Sequence, residues 1–348
     1  MKEQETINRH EPTQGESHDC PACQRAFIVA SGWQATPCPL CQQALLQVSS
    51  NSMDSAPIEL IVPPALDAQT LSMRLSQFTK GSAFPYPDFK AENLGKRLVL
   101  VYWPVWLTDA DLDGEWDAVF AYDYQVVSSR EKMGNAGWSS QDVIKTRIKE
   151  EPRKGFLKRH YDNVLSPALH THEQRLSQLG TVDLMTAHSW QAINTAQSLV
   201  QKETLHPHEL EDGVKNQMAN LASVDCRKAS GAQHPRSFTF YGEYKNMNWT
   251  KGIVPMFTTY YVDDKGTRYP IAINGQSGTV YGHRMASTKK AWLFTGILLA
   301  LAIILTLVFY FAKADYFLCA SVALVLAFAP IIYAAIWNNK ERVKPPLA

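Results

Sequence analysis

The sequence predicts an α+β fold in three parts: an amino-terminal β zinc ribbon, a central α+β domain with duplicated β-hairpin units, and a carboxy-terminal two-helix transmembrane hairpin. Three observations carry this reading. Two Cys-Pro-x-Cys knuckles, Cys20 with Cys23 and Cys38 with Cys41, stand near the start. Two apolar runs without a charge, residues 291–312 and 316–337, stand near the end. Between them lie β-rich segments punctuated by glycine turns.

In chain order, residues 1–18 read as a disordered tail. Lys2, Glu3, Glu5, Arg9, Glu11 and Glu16 leave no apolar stretch of the kind a signal peptide needs. Residues 19–47 are the ribbon. Two knuckles about 14 residues apart let four thiolates converge on one tetrahedral metal ion, and a filled four-cysteine set points to structural zinc rather than a catalytic site. The strand-like run Ala26, Phe27, Ile28, Val29, Ala30 and the Ser31-Gly32 turn lie in the spacer. His18 is surplus to four cysteine ligands. Of the six cysteines, the remaining two, Cys226 and Cys319, stand apart, so a disulfide framework is not expected.

Residues 48–57, rich in serine, read as a linker. A cytoplasmic α+β region follows over 58–286. Within it, residues 98–106 lead through Asp113-Gly114 into 116–120, and residues 252–257 lead through Lys265-Gly266 into 269–273. Both read as strand, turn, strand, which suggests an internal duplication. Residues 168–180 and 183–201 read as helices.

The terminal runs, each about 22 residues, match the roughly 20 needed to span a bilayer as helices. Lys289 and Lys290 precede the first, and Lys340, Arg342 and Lys344 follow the second. Only Lys313, Ala314 and Asp315 separate them. The positive-inside bias then puts both termini in the cytoplasm, with 339–348 as a cytoplasmic tail. Trp292 and Trp337 would mark the inner interface. Small residues Gly296, Ala300, Ala320 and Ala327 would permit oligomerisation through the spans.

Several constellations bear on function. Asp109, Asp111, Asp113 and Gly114 match the start of a calcium loop, but Phe120 stands where the bidentate glutamate belongs, which favours a solvated turn. His170, His172 and Glu173 lack the spacing that places two ligands on one helical face. His206 and His208 flank Pro207 in an expected loop. Lys145, Arg147, Lys149, Arg153, Lys154, Lys158 and Arg159 form a basic stretch suited to an anionic partner or to a solvated face. The ribbon itself has only Arg25 as a basic residue, and the formal net charge is +1. Both weigh against nucleic acid as the main partner. No GxxxxGK[ST] loop and no paired catalytic spacing occurs, so an enzyme is not expected.

The ribbon, the VYWPVW segment at 101–106, residues 155–164 with Pro167-Ala168, the IVPMF strand at 253–257, YPIAINGQSGTVYG at 269–282 and the closing helices together resemble a group of bacterial zinc-ribbon membrane proteins. These are often named as primosomal replication-factor-Y or helicase-like proteins. The chain departs from that pattern at Met256-Phe257, where a Val-Trp pair is commoner, and in its short region between Gln201 and Phe238. The resemblance implies a two-pass protein of the bacterial inner membrane with a cytoplasmic ribbon. On residues and resemblance together, the expected function is a scaffold or adaptor holding a cytoplasmic protein partner at the bilayer, with membrane-tethered nucleic-acid binding as the alternative.

Overall fold

A computed structural model describes residues 16–29, 36–49, 55–134, 137–170, 178–190, 199–311 and 317–344. The fold is mixed α+β and divides into two compact units. One comprises residues 1–105, 167–204 and 251–348, and the other 106–166 and 205–250. The longest strands are β5 (Val99–Gly134), β6 (Gly137–Pro167) and β9 (His234–Val262).

The first unit begins with β1 (Glu16–Asp19), β2 (Ala26–Val29) and β3 (Gln47–Val48). The short strands β4 (Leu60–Ile61), β7 (His188–Ser189) and β8 (Leu199–Gln201) and the hairpin partners β10 (Arg268–Asn274) and β11 (Val280–Gly282) complete its sheet. Its strand order is β11-β10-β9-β5-β8-β2-β1-β3, with β4 joining β9 in parallel. Strand β8 is the splice. It runs parallel to β5 at Val101 and Tyr102 and antiparallel to β2 at Phe27 and Ile28, so the cysteine-bearing strands extend the central sheet. Ile61, Tyr102, Val200 and Ile253 bury one apolar cluster across this splice. Helices α1 (Ala68–Thr79) and α2 (Ala91–Lys96) cover the other end, where Leu71, Leu75 and Leu94 pack on Tyr261, Ile271 and Ile273. Asp67 caps α1 by accepting from the Thr70 amide at 2.7 Å.

A buried ion pair ties three distant segments of this unit together. The Lys251 ammonium, 1 % exposed, donates to Glu203 Oε2 at 2.6 Å, to Ser55 Oγ at 2.7 Å and to the Ala56 carbonyl at 2.9 Å. All three of its protons are used. Glu203 in turn accepts from the Ser55 hydroxyl at 2.7 Å and the Ala56 amide at 3.0 Å. The end of the expected linker is therefore fixed at Ser55. Burial alone would push the Glu203 carboxyl up, but the Lys251 charge and its hydrogen bond outweigh that and hold it below the ordinary range.

The second unit is a three-stranded antiparallel sheet, β6-β5-β9, covered by α3 (Pro207–Ala229). Val214, Met218, Ala222 and Cys226 recur every fourth residue and form the buried stripe of α3. Against them pack Ala110 and Leu112 of β5 and Tyr161 and Val164 of β6. Pro207 at the first helical position and Glu209, which accepts from the His206 amide at 2.8 Å, start the helix. The residues around His206 and His208 thus open a helix where a loop was expected.

Two further expectations are corrected. The first of the supposed duplicate hairpins does not exist: Asp113-Gly114 lies inside the continuous strand β5. Glycine is needed there because a Cβ on Gly114 would meet the backbone of Gly242 at 2.3 Å, so the pair lets β5 and β9 approach closely. Only the second unit is a hairpin, β9 to β10, turning through Asp263, whose carboxylate accepts from the Lys265 and Thr267 amides. The helix expected over 183–201 is also absent from its described residues, which hold one 3-10 turn at Leu184–Thr186 and the strands β7 and β8. Of the helix expected over 168–180, residues 171–177 lie outside the described set, as do the Ser31-Gly32 turn and the 313–315 connection.

The terminal helices are α4 (Thr288–Phe311), α5 (Phe317–Ala327) and α6 (Ala329–Arg342). Two stretches, Thr288–Val308 and Val322–Arg342, are long and apolar enough to cross a bilayer. Their surfaces separate them from core helices: Leu293, Val308 and Val325 are 63, 57 and 72 % exposed. The break between α5 and α6 falls at Phe328, just before Pro330, which cannot donate an amide to the helix.

The base of this hairpin is fastened to the sheet unit. Asn338 pairs with the backbone of Ala286 in both directions, accepting at 2.7 Å and donating at 2.9 Å. Trp337 Nε1 donates to the Arg284 carbonyl at 2.5 Å, and buried Glu341 accepts from the Arg284 amide at 2.8 Å. Ser287 bonds Asp264, and the Lys290 ammonium donates to the Pro85 carbonyl at 2.5 Å.

Replacing Lys251 with Met should cost about 3–5 kcal/mol, because Glu203 is left buried and unpaired. Lys251→Met with Glu203→Leu should recover most of the loss, as read by denaturant unfolding. The pH dependence follows from the lowered carboxyl. Its contribution is present above the unfolded glutamate value, about 4.3, and is lost as pH falls through the folded value. The double variant should therefore lose less stability in acid than the wild type.

Candidate metal centre

The four knuckle cysteines converge because each Cys-Pro-x-Cys segment folds into the same backbone turn. Gln24 N–H donates to the Cys20 carbonyl at 2.8 Å, and Gln42 N–H donates to the Cys38 carbonyl at 2.9 Å. Gln24 and Gln42, each directly after the second cysteine of its knuckle, have φ of 57° and 56°. The Cys20 amide closes the first knuckle on the Arg25 carbonyl, and the Cys38 amide closes the second on Ala44, both at 2.9 Å. Pairing of β1 with both β2 and β3, and a bridge between Pro37 and Leu45, hold the two turns face to face.

The four sulfurs lie close enough together to share one metal ion. Cys20 Sγ lies 3.5 Å from Cys41 Sγ, and Cys23 Sγ lies 3.7 Å from Cys38 Sγ. All four lie within 4.8 Å of one another. Metal–sulfur bonds of about 2.3 Å in tetrahedral geometry give sulfur separations of roughly 3.8 Å, whereas a disulfide needs about 2.05 Å. Cys20 and Cys38 are buried, and Cys23 and Cys41 are partly exposed. The hydrogen bond shared with Cys23 and the amides of Cys41 and Leu40 hold the Cys38 thiol down at about 5, while the same shared bond and burial push Cys23 up. Amides directed at sulfur also favour bound thiolates. The site is backed by Phe27, Val29, Leu40 and Leu46, all buried. Arg268 of β10 donates to the Gln42 carbonyl and so fixes the second knuckle to the sheet. His18 turns its ring towards Glu16, 3.6 Å away, and adds nothing to the cysteine set.

The remaining sequence candidates are dispersed. Asp109, Asp111 and Asp113 alternate along one face of β5 and are held by neighbours. Asp111 bonds His160 at 2.9 Å and Asn246 at 2.7 Å, Asp113 pairs with Lys245 at 3.2 Å, and Asp109 accepts from the Asn163 amide at 2.7 Å. The calcium-like pattern is a cross-strand charge ladder, not a loop. The His206 and His208 rings stack 5.9 Å apart at the start of α3. His170 donates its amide to Thr204, and His172 and Glu173 lie outside the described residues.

The seven basic residues occupy β6, whose only strand partner among the described residues is β5. Alternation divides them: Lys145, Arg147, Lys149, Arg153 and Arg159 occupy odd positions, while Lys154 and Lys158 project from the opposite face. Lys149 and Arg153 flank Glu151 at 2.8 and 2.6 Å, Lys154 meets Asp117 at 2.9 Å, and Arg159 meets Asp225 at 3.3 Å. The Lys251, Glu203 and Ser55 network was not read from the sequence. Its members lie 148 and 196 positions from Ser55 along the chain, and nothing local marks them.

In comparison with known proteins, no family model, no curated protein and no solved structure matches this chain.

Cys38→Ser should abolish stoichiometric metal binding, measured by elemental analysis of purified protein, and should expose residues 16–49 to proteolysis while leaving the rest of the chain resistant.

Proposed function

We propose that the chain is a membrane-anchored zinc-ribbon adaptor that holds a cytoplasmic protein partner at the bacterial inner membrane. The carrying observation is the continuity of one unit from knuckles to spans. β3, β1, β2, β8, β5, β9, β10 and β11 form one sheet, and the base of the helical hairpin is bonded to Arg284 and Ala286 just after β11, where Ser287 in turn bonds Asp264 of the β9–β10 turn. A ribbon held this way is presented at a fixed place relative to the anchor.

Four cysteine ligands with no further donor in the set favour zinc in a closed, structural role. Zinc would be held by Cys20, Cys23, Cys38 and Cys41 and would lock the two knuckles together. Lys289, Lys290, Lys340, Arg342 and Lys344 favour the cytoplasm for both ends of the hairpin, a compartment that also keeps thiols reduced. The resemblance to bacterial zinc-ribbon membrane proteins supports the same placement.

Protein contact is favoured by the ribbon's outer edge, where Leu45 and Val48 are 53 and 70 % exposed on and beside the terminal strand β3. An open strand edge with exposed apolar side chains suits pairing with a partner segment.

The test is crosslinked affinity purification from native membranes at native expression. Wild type should recover a defined cytoplasmic protein that is lost with Leu45→Asp/Val48→Asp, a variant that keeps its zinc, and lost with Cys38→Ser. Identical recovered sets from wild type and both variants would overturn the proposal.

A further inference from the structure

Arg284 sits between β11 and α4, where the sheet meets the apolar helices. Its guanidinium lies over two rings, Phe78 of α1 at 5.5 Å and Trp337 of α6 at 5.8 Å. Aromatic rings steady the charge but offer its five N–H donors no oxygen. The Nε is buried without a hydrogen-bond partner, and no carboxylate pairs with the guanidinium among the described residues. The neighbouring acid is already taken: Glu341 accepts from the Arg284 amide at 2.8 Å and from the Lys344 ammonium at 2.7 and 2.8 Å. A half-buried guanidinium in that state calls for an anion from outside the chain.

The surroundings of Arg284 select the kind of anion. Trp337 stacks on Tyr333 at 5.8 Å, and Phe84 packs against both Tyr333 and Phe294, at 6.2 and 5.6 Å. The rings thus form a belt from α6 across to α4, with Tyr333 and Phe294 still 41 and 50 % exposed. Aromatic belts of this kind lie at the headgroup level of a bilayer. Arg284 adjoins the belt at Trp337, and Lys289 and Lys340, both exposed, add positive charge at the same end of the helices. The abundant anion at that level is a lipid phosphate, whose oxygens match the parallel N–H groups of a guanidinium. Gly81, just after α1, keeps room for that group, because a Cβ there would lie 2.3 Å from Arg284 Nη1.

We infer that Arg284 binds the phosphate of one anionic phospholipid, with its guanidinium positioned by Phe78 and Trp337 and by the missing side chain at Gly81. The unpaired cation and the ring belt that marks a lipid as its partner meet at the same residue, Trp337. The inference rests on the membrane-anchored reading, which supplies the bilayer.

The experiment is native mass spectrometry of the full chain in detergent, supplied with equal amounts of phosphatidylglycerol and phosphatidylcholine. Wild type should retain one phosphatidylglycerol in preference to phosphatidylcholine, and Arg284→Gln should cut that retention by about fivefold. Gly81→Ala keeps every charge but displaces the guanidinium, whose end is free to move, and it should lower retention as well. Arg342→Gln, which removes a charge from the same end of α6 without touching the two rings, should retain the lipid as wild type does. Equal retention of the two lipids by wild type, or equal losses in Arg284→Gln and Arg342→Gln, would overturn the inference. So would displacement of the lipid by millimolar inorganic phosphate, which would assign the group to a soluble phosphate. Flotation of vesicle-reconstituted wild type after alkaline extraction reports on the anchor separately: floating protein that does not prefer phosphatidylglycerol sinks the lipid site alone, and protein that fails to float sinks the anchored reading.

Discussion

A lysine and a glutamate removed from water must answer each other, and the unit that joins the sheet to the apolar helices is arranged so that they do. Lys251 sits in β9, Glu203 just after β8, and Ser55 just before β4. Their mutual hydrogen bonds hold three segments that are far apart in sequence at one point. Strand β8 inserts between β5 and β2 beside this point, and β4 lies along β9 there. Desolvating both charges is costly, and the full set of hydrogen bonds offsets that cost. The pair therefore specifies an arrangement more than it adds stability: any other placement of these segments leaves a charge in the core.

From that point the unit extends in two directions. Towards β3 it carries the knuckles, whose paired turns bring four sulfurs within reach of one ion. Towards β11 it carries the fastening of the helical hairpin. The zinc reading and the anchor reading thus concern opposite ends of one sheet. The three-stranded unit is organised differently, around the alternation of β5. Even positions such as Ala110, Leu112 and Phe120 are buried, while the odd positions Asp109, Asp111 and Asp113 pair across strands.

What was legible in the sequence was chemistry that is local. A Cys-Pro-x-Cys turn places its two thiols by its own backbone geometry, and an uncharged run of spanning length needs no partner to be recognised. The β9 to β10 hairpin was legible for the same reason, since Asp263 and Gly266 make the turn themselves. What failed was whatever depended on the partner strand. Asp113-Gly114 has the composition of a turn, but its glycine answers Gly242, 128 positions later. Residues 199–201 were assigned to a helix, yet they are a strand because β2 and β5 leave a slot of that width. Helix α3 carried its signal openly, in Pro207, Glu209 and the fourth-residue stripe from Val214 to Cys226, but its many polar residues masked it.

Asn338 presents its amide to Ala286 as a strand would present a peptide group, and Glu341 does the work of a cap for Arg284 from one turn further along. In the anchored reading the two apolar helices are therefore not a leash. A flexible tether filters out everything about the bilayer except proximity, whereas a lever fixed at its fulcrum transmits angle as well. In the anchored reading, a change of lipid thickness that tilts α6 would be carried into the loop at 283–287, because Asn338 and Glu341 tie that loop to the helix.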